Sequence, residues 1–258
     1  METKGTLSVV TITLNEAHRL EQCYRSIAWA DEWVVVDSGS SDGTPELARQ
    51  LGARVYERPF DNFSNQWNYA GEQARGDWVL VLAADEEVSV GLRLEIEAVL
   101  GTEGGPTCYA TPRKNLHFGR WLRYGGQYPD WSLRLFRRGT AHWVGDIHEQ
   151  LAYTGALGRL RHPIIHHSFL SLSDWIQKMD RQTSQEARFA FEAGGRASWL
   201  DVTVRPLFWF VRMYVARRGF LDGRPGLVHS MCTFVCIFFR HAKLRELYTE
   251  REGGTTKW

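Results

Sequence analysis

The stretch that decides the fold is residues 7–56, LSVVTITLNEAHRLEQCYRSIAWADEWVVVDSGSSDGTPELARQLGARVY. Its apolar residues are spaced as in strands within TLSVVTITL and EWVVVDSG, and as in a helix within EAHRLEQCYRSIAWA. A second helix, TPELARQLG, and a third strand, ARVYER, follow. This alternation predicts a mostly parallel, doubly wound α/β sheet with helices on both faces.

The same alternation continues beyond this stretch with a helix, FSNQWNYAGEQA, and a strand, GDWVLVL. Between residues 101 and 160, Gly, Pro and aromatic residues become dense, which indicates short strands and loops that would cover a site. From about residue 172 the pattern is helical. We therefore expect two domains, residues 1–170 with the sheet and residues 171–258 as a helical region.

Charge is unevenly distributed along the chain, although the net charge is only +1. Residues 1–158 hold 15 Lys and Arg against 21 Asp and Glu (net −6), and residues 159–258 hold 16 against 9 (net +7). A basic second half suits anionic lipid head groups or phosphates. A solvated helical face explains the same charge equally well.

The four cysteines lack the paired spacing of a metal site. They are Cys23, Cys108, Cys232 and Cys236. We expect reduced, mostly buried thiols, which favour the cytoplasm. The N-terminal METKGTLSVVTITLNE is expected to enter a strand and is too polar for a signal peptide or a membrane anchor.

Polar residues follow three predicted strands, in LNE (14–16), DSGSSDGT (37–44) and AADEE (83–87). In an open parallel sheet, ligands bind beyond the carboxyl ends of the strands. Asp37 could accept hydrogen bonds from a base or a ribose there. Asp42 or Thr44 is expected to cap the helix that Pro45 opens.

Neither GxGxxG nor GxxxxGK[ST] follows the first strand, which argues against a dinucleotide dehydrogenase and a P-loop NTPase. A nucleotide would then be held by carboxylates and a divalent ion, Mg²⁺ or Mn²⁺, which prefers hard oxygen ligands. Asp85 is the natural ligand. The alternative is an acidic turn without a ligand.

Residues 7–56 resemble the opening of family 2 glycosyltransferases, which have the GT-A fold. The later GRWLRYGGQYPDWSLRLFRR, DIHEQL and HPIIHHSF resemble the branch of lipopolysaccharide inner-core β-1,4-glucosyltransferases. The likeness extends over about residues 7–245. It implies an inverting transfer of a hexose, in first place glucose, from a UDP-sugar to a lipopolysaccharide core or another lipid-linked saccharide.

The resemblance also assigns roles to individual residues. Asp37 would contact the uridine, and Asp85 and His166 would bind the metal. Further nucleotide contacts would come from Leu14, Asn15, Glu16, Gln66, Asn68 and Ala84. For His166, a core or surface position is the alternative to a ligand or phosphate contact.

Two positions depart from the pattern of this branch. Ala83 stands where the first acid of Asp-Ala-Asp is usual, and Trp67 replaces a cation in Gln-Lys/Arg-Asn. Losing one charged hydrogen bond costs about 1.5–3 kcal/mol. Arg134 or His166 could replace the cation. A relaxed donor site, an engineered substitution and a poorly active relative stay open as explanations of Ala83.

An inverting transferase needs a general base beside the acceptor hydroxyl. Glu149 is the favoured candidate, because it follows the RLFRR strand where related enzymes carry a Glu-Asp motif; Asp130 is second. The alternative for each acid is a structural salt bridge to Arg134 or Arg137.

The C-terminal region joins apolar stretches to arginines at residues 204–220 and 226–244. The longest uncharged stretch, residues 226–239, is shorter than the ~20 residues that span a bilayer. Helices lying on an anionic membrane surface fit better, and a buried helical hairpin is the alternative.

We therefore predict a peripheral enzyme on the inner face of the cytoplasmic membrane, with no nucleic-acid partner. A non-catalytic relative that serves as a binding or scaffold partner in glycan assembly is the rival hypothesis.

Overall fold

The computed structural model describes residues 4–102, 104–145 and 150–251. The chain divides into two compact units. The first comprises residues 1–114 and 130–166, and the second residues 115–129 and 167–258. Residues 115–129, which the sequence analysis included in the first domain, therefore belong to the second unit.

Strands and helices alternate up to residue 100. These elements are β1 (Leu7–Thr13), α1 (Ala17–Ile27), β2 (Glu32–Asp37), α2 (Thr44–Gln50), β3 (Arg54–Glu57), α3 (Phe63–Gln73), β4 (Trp78–Val81), β5 (Glu86–Val88) and α4 (Val90–Leu100). A run of strands follows, as the sequence indicates. It contains β6 (Cys108–His117), β7 (Arg120–Trp121), β8 (Asp130–Arg137), β9 (Ala141–Val144), β10 (Gln150–Tyr153), β11 (Leu157–Arg159) and β12 (Ile164–Phe169).

The main sheet has the order β3-β2-β1-β4-β8-β6-β12-β5. Its first four strands are parallel, and β8 pairs antiparallel with both β4 and β6. Val34, Val35 and Val36 of β2 are fully buried, as expected for a parallel strand covered on both faces. The mixed sheet with its helices confirms the predicted α/β class.

Two apolar cores, one on each side of the sheet, hold the helices in place. One core contains Leu20 of α1 and Ile96 of α4, and the other contains Trp67 and Ala70 of α3. Thr13 lies opposite Asp37 in the β1–β2 register, so these two strands end level. This level edge is where the polar residues after β1 and β2 lie.

The second unit contains the predicted C-terminal helical region. Its helical elements are α5 (Leu172–Glu192), α6 (Trp199–Val211), a π-helical turn (Arg212–Ala216), a 3₁₀ turn (Gly219–Asp222) and α7 (Gly223–Arg251). The side chains of Ser171 and Ser198 accept hydrogen bonds from the first turns of α5 and α6. Within the described part of the chain, every helix falls short of the length or the apolar character needed to cross a bilayer.

Candidate active site

The turn after β2 is built around the carboxylate of Asp37, which is fully buried. Its Oδ1 accepts hydrogen bonds from the hydroxyls of Thr13 (2.9 Å) and Ser40 (2.5 Å). Its Oδ2 accepts from the backbone N–H groups of Gly39 (2.9 Å) and Ser40 (2.7 Å). Gly39 has a φ of 93°, a conformation that glycine adopts without steric cost. Asp37 therefore fixes the shape of this turn; its contact with uridine stays a prediction.

Asn15 and Glu16 tie the end of β1 to the same turn. Asn15 has a φ of 57°, which asparagine tolerates better than most residues, and its Oδ1 accepts the N–H of Ser41 at 2.9 Å. The N–H of Glu16 donates to Thr44 Oγ1 at 3.0 Å. These bonds hold two of the predicted nucleotide residues against the loop that follows β2.

Asp42 links this turn to two helices. Its carboxylate accepts the N–H of Thr44 at 3.0 Å and the N–H of Ala17 at 3.1 Å. These are the first residues of α2 and α1, whose initial N–H groups lack partners within the helix. One side chain thus satisfies a terminal amide of each helix, in line with the expected capping role.

Asp85 and His166 are brought together from β-elements far apart in the sequence. Asp85 follows β4, and His166 lies on β12, which pairs antiparallel with β5. The distance between Asp85 Oδ2 and His166 Nε2 is 3.5 Å, and both side chains are partly exposed. Arg19 of α1 also reaches Asp85, with 3.2 Å between Nη1 and Oδ2. The structure thus places the two predicted metal residues next to each other; their binding of a metal stays a prediction.

A buried charge network adjoins this pair. Glu86 is 1% exposed, and its Oε2 accepts the N–H of Ala83 at 3.0 Å. Arg134 donates to Glu86 Oε1 at 2.7 Å, and Arg113 Nη1 lies 3.7 Å from the same oxygen. A buried carboxylate is stable only when it is paired and hydrogen-bonded, and Glu86 meets that requirement.

Asp130, the second candidate for the base, is part of this network. Its Oδ2 accepts from Arg113 Nε at 2.8 Å and lies 2.7 Å from Arg113 Nη2. Burial lowers the pKa of Arg113, but the neighbouring carboxylates of Asp130 and Glu86 outweigh this effect and raise it above the ordinary value. The salt bridge expected as the alternative role therefore forms with Arg113, whereas Arg134 binds Glu86.

Helix α3 places the remaining predicted polar contacts. Gln66 is fully buried and donates to Ser38 Oγ at 3.0 Å. Asn68 donates to the carbonyl of Trp143 at 2.9 Å and accepts its N–H at 2.7 Å. Trp67 is 8% exposed and stacks on Trp143 with ring centroids 6.1 Å apart. Trp67 is thus a core residue that fastens α3 to β9.

Two further nucleotide candidates differ in exposure. Leu14 is 48% exposed after β1, and Ala84 is buried after β4. Glu149, the favoured base, and the acid Asp146 lie outside the described residues.

All four cysteines are free and Cys23, Cys108 and Cys232 are buried, as predicted. Burial, helped by nearby carboxylates, raises the pKa of the Cys23 thiol, which excludes it as a nucleophile.

The donor set suits a divalent ion only in part. Asp85 offers a carboxylate oxygen, which suits both Mg²⁺ and Mn²⁺, and His166 offers an imidazole nitrogen, which suits transition-metal ions rather than Mg²⁺. Over residues 4–102, 104–145 and 150–251, no group of three or more His, Cys, Asp or Glu could hold a metal. A metal at Asp85 and His166 would therefore take its other ligands from a bound diphosphate and water, as Mg²⁺ commonly does.

Sequence reasoning missed Arg19, Glu86 and Arg113. Arg19 lies in α1, 66 residues from the acid that it pairs with. Glu86 could have been found from its place in a run of three acids at the start of β5, where it is the acid that faces the interior. Nothing local in the sequence pairs Arg113 or Arg134 with that acid.

Replacing Asp37 with alanine is expected to lower the free energy of unfolding by about 3 kcal/mol, because two backbone N–H groups and two hydroxyls lose their acceptor. Denaturant unfolding measures this change. Glu21→Ala serves as the control, since the exposed Glu21–Arg25 pair contributes only about 0.5 kcal/mol. Equal stability of the two variants would contradict the role assigned to Asp37.

The chain is similar to a known protein family and to several known proteins. The model of the family described as Glycosyl transferase family 2 matches residues 8–159, more than half of the chain. An uncharacterized glycosyltransferase of Rickettsia felis is 29% identical over 255 residues, which cover 93% of this chain and 89% of the relative. The lipopolysaccharide core biosynthesis glycosyltransferase LpsC of Rhizobium meliloti is 27% identical over 251 residues, with 92% and 93% coverage. The structure of S. aureus TarS 1-349 in complex with UDP-GlcNAc aligns with 98% of this chain and 93% of that chain, at 14% identity and a TM-score of 0.49.

Proposed function

The chain belongs to glycosyl transferase family 2, and we propose a reaction for it on that premise. In this reaction a hexose, with glucose as the first candidate, moves from a UDP-sugar to a lipid-linked saccharide. The acceptor we propose is a lipopolysaccharide core, with inversion at the anomeric carbon. The name of the Rhizobium relative, which matches 92% of the chain, supports this acceptor. The single observation that carries the proposal is the Asp85–His166 pair beside the ends of the parallel strands.

The donor nucleotide would bind along the level ends of β1 and β2. The turn held by Asp37 presents its backbone there, and Asn15 and Glu16 close the other side. Ligands of open α/β sheets bind at this edge. Because the turn is fixed by hydrogen bonds before a ligand arrives, little conformational entropy is lost when the nucleotide binds.

Asp85 and His166 would hold Mg²⁺ or Mn²⁺. When bound, such an ion neutralises the charge of a diphosphate leaving group. Arg19 contacts the Asp85 carboxylate at 3.2 Å and is itself 6% exposed, so the acid is held in one orientation.

We propose Glu149 as the general base. In an inverting transfer, the base removes the proton of the acceptor hydroxyl while that oxygen bonds to the anomeric carbon and the UDP oxygen leaves. Asp130 is less suited to this task, because its Oδ2 is bound by both Nε and Nη2 of Arg113. Glu149 keeps the role that the resemblance gives it.

Ala83→Asp is expected to tighten UDP binding by about tenfold, because it restores the acid that would bind the ribose in this family. Ala83 is partly exposed, and its N–H is held by Glu86, so the backbone at this position is fixed. Calorimetry with UDP and Mn²⁺ measures the change, with the uncharged Ala83→Asn as control. Unchanged or weaker binding would show that position 83 does not face the ribose.

We also propose that the second unit docks on the anionic inner face of the cytoplasmic membrane. Helix α6 exposes Val204, Leu207, Phe208 and Val211, each at least 46%. Arginines accompany these apolar residues on the same helix and on the elements after it, at Arg205, Arg212, Arg217, Arg218 and Arg240. Exposed apolar residues beside cations are typical of helices that lie in a membrane interface. Trp209, Phe210, Phe234 and Phe238 are half-buried, so the exposed aliphatic residues and Phe208 would insert first.

Replacing Leu207, Phe208 and Val211 with serine is expected to reduce partitioning onto liposomes with anionic lipid at least tenfold, since each apolar side chain contributes about 1 kcal/mol or more on burial. The matched control is Val90→Ser/Leu94→Ser in α4, where the side chains are 78% and 60% exposed. Sedimentation with liposomes measures both. Equal loss in the two variants, or no binding of the wild type, would count against docking through α6.

A further inference from the structure

A cavity of about 510 Å³ lies within the second unit, between α6, the π-helical turn and α7. This volume falls in the range of sites for small molecules. Its lining combines cationic, imidazole and aromatic side chains. Among the lining residues are Arg205, Trp209, Arg217, His229, Arg240 and His241.

The lining follows helical periodicity on both sides. Positions 229, 233, 237 and 241 are four residues apart on α7 and share one face of that helix. The other row has the same spacing, with 205 and 209 on α6, 213 in the π-helical turn and 217 directly after it. Each row has polar, donor-bearing residues at its two ends, Arg205 and Arg217 in the first and His229 and His241 in the second. The two rows thus form facing walls rich in hydrogen-bond donors, to which Arg240 adds a third guanidinium.

Buried imidazole nitrogens on these walls lack partners. His241 is 8% exposed, and neither of its ring nitrogens has a hydrogen bond within the described chain. The Nε2 atom of His229 is also buried and has no hydrogen-bond partner there. Burial lowers the pKa of His229 to about 4 and lowers that of His241 as well, so both rings are neutral at pH 7. Unpaired buried donors are rare in folded proteins, and a ligand acceptor in the cavity would satisfy them.

The cavity is cationic, because three arginines and no acid line it. Two of the arginines form ion pairs with acids that are not among the lining residues: Arg205 lies 3.0 Å from Asp201, and Arg240 lies 3.3 Å from Glu186. For Arg217, no ion pair is found in the part of the chain that the structure describes. Guanidinium groups in this number favour an anion with several oxygens, of which phosphate is the best geometric match.

Apolar side chains adjoin the cavity residues along the same helices. Val204 and Phe208 precede Arg205 and Trp209, and are 53% and 58% exposed. On α7, Phe239 precedes Arg240 and is 40% exposed. A free phosphate would gain nothing from such neighbours, whereas a lipid would place its head group in the cavity and its chains along the exposed apolar residues.

We propose that this cavity binds the phosphate group of a lipid, the anchor phosphate of the lipid-linked acceptor. The identity of the lipid as acceptor rests on the proposed function, but phosphate recognition does not. Arg205, Arg217 and Arg240 supply the charge-assisted hydrogen bonds, and His241 donates through its buried ring N–H. The second unit thereby recognises the anchor, while the first unit carries the donor residues.

The test titrates the full chain with lysophosphatidate below its critical micelle concentration, which separates the cavity from a bilayer surface. A monoacylglycerol of the same chain length and inorganic phosphate are the comparison probes. We expect lysophosphatidate to bind at least tenfold more tightly than either. The Arg205→Gln/Arg240→Gln variant should lose at least tenfold in this affinity, as for a charge-assisted hydrogen bond, and Arg240→Lys should lose less.

Arg25→Gln is the matched control, because Arg25 pairs with Glu21 four residues away as Arg205 does with Asp201. Arg217→Gln, at an exposed residue, provides the same test should the double variant fold poorly. UDP binding should be unchanged in all of these variants. A UDP-binding measurement on the wild type therefore tests the proposed donor site independently of the phosphate site. Equal binding of the monoacylglycerol, or undiminished lysophosphatidate affinity in both cavity variants, would overturn the phosphate site. Equal binding of inorganic phosphate would overturn its assignment to a lipid.

Discussion

Asp85→Asn is expected to abolish the Mn²⁺-dependent part of UDP binding. An amide retains one neutral oxygen and cannot supply the anionic ligand that a hard cation requires. The same change removes the partner of Arg19 at 3.2 Å and of His166 at 3.5 Å. Calorimetry with UDP in the presence and absence of Mn²⁺ measures the effect directly.

The control for this variant is Glu87→Gln, which removes a neighbouring acid on β5. Glu87 accepts from Gln22 at 2.7 Å and lies two residues beyond Asp85. The Glu87→Gln variant should leave the affinity for UDP unchanged. Thermal unfolding of both variants shows whether the fold survives, because Asp85→Asn leaves the largely buried Arg19 with one acid fewer. A folded Asp85→Asn protein with full Mn²⁺-dependent affinity would remove Asp85 from the metal site.

Glu149→Gln is expected to reduce sugar transfer by roughly 10²–10⁴-fold, because a positioned base usually contributes a rate factor of this size. The affinity for the UDP-sugar should stay nearly intact. Glutamine keeps the size of the side chain but cannot accept the proton of the acceptor hydroxyl. The kinetic signature is a fall in kcat with little change in the KM for the donor.

Asp130→Asn is the matched variant for this prediction. It breaks the ion pair with Arg113, whose guanidinium also approaches the buried Glu86, so it is expected to cost stability rather than the chemical step. If Asp130→Asn loses transfer while remaining folded and Glu149→Gln stays active, the base is Asp130.

Much of the fold followed from residues 7–100, because periodicity there matches single elements. Helices α1, α2 and α3 and the first four strands lie where the pattern predicts them. The α/β class with a C-terminal helical region is confirmed. The grouping of residues 115–129 with the second unit could not be predicted, because it depends on contacts between segments far apart in the sequence.

The sequence predicts those site residues that directly follow a strand. It does not predict contacts between side chains that lie far apart in the sequence. The resemblance assigns Asp85 and His166 to one metal site, and the two side chains lie 3.5 Å apart. Trp67 stands where the family pattern has a cation, yet it packs in the core with Ala70 and Ala74, a spacing of three and four residues that the sequence already contains. The pairing of Glu86 with Arg134 joins strands that no local pattern connects.

The most direct test of the central claim is a screen of UDP-hexoses for Mn²⁺-dependent release of UDP by the wild-type protein, with and without a lipopolysaccharide core acceptor. The account predicts that at least one UDP-hexose, UDP-glucose first, is turned over. Release should rise when the acceptor is present and fall to background with a chelator or in Asp85→Asn. Binding of UDP without turnover of any UDP-hexose would contradict the account and favour a non-catalytic partner in glycan assembly.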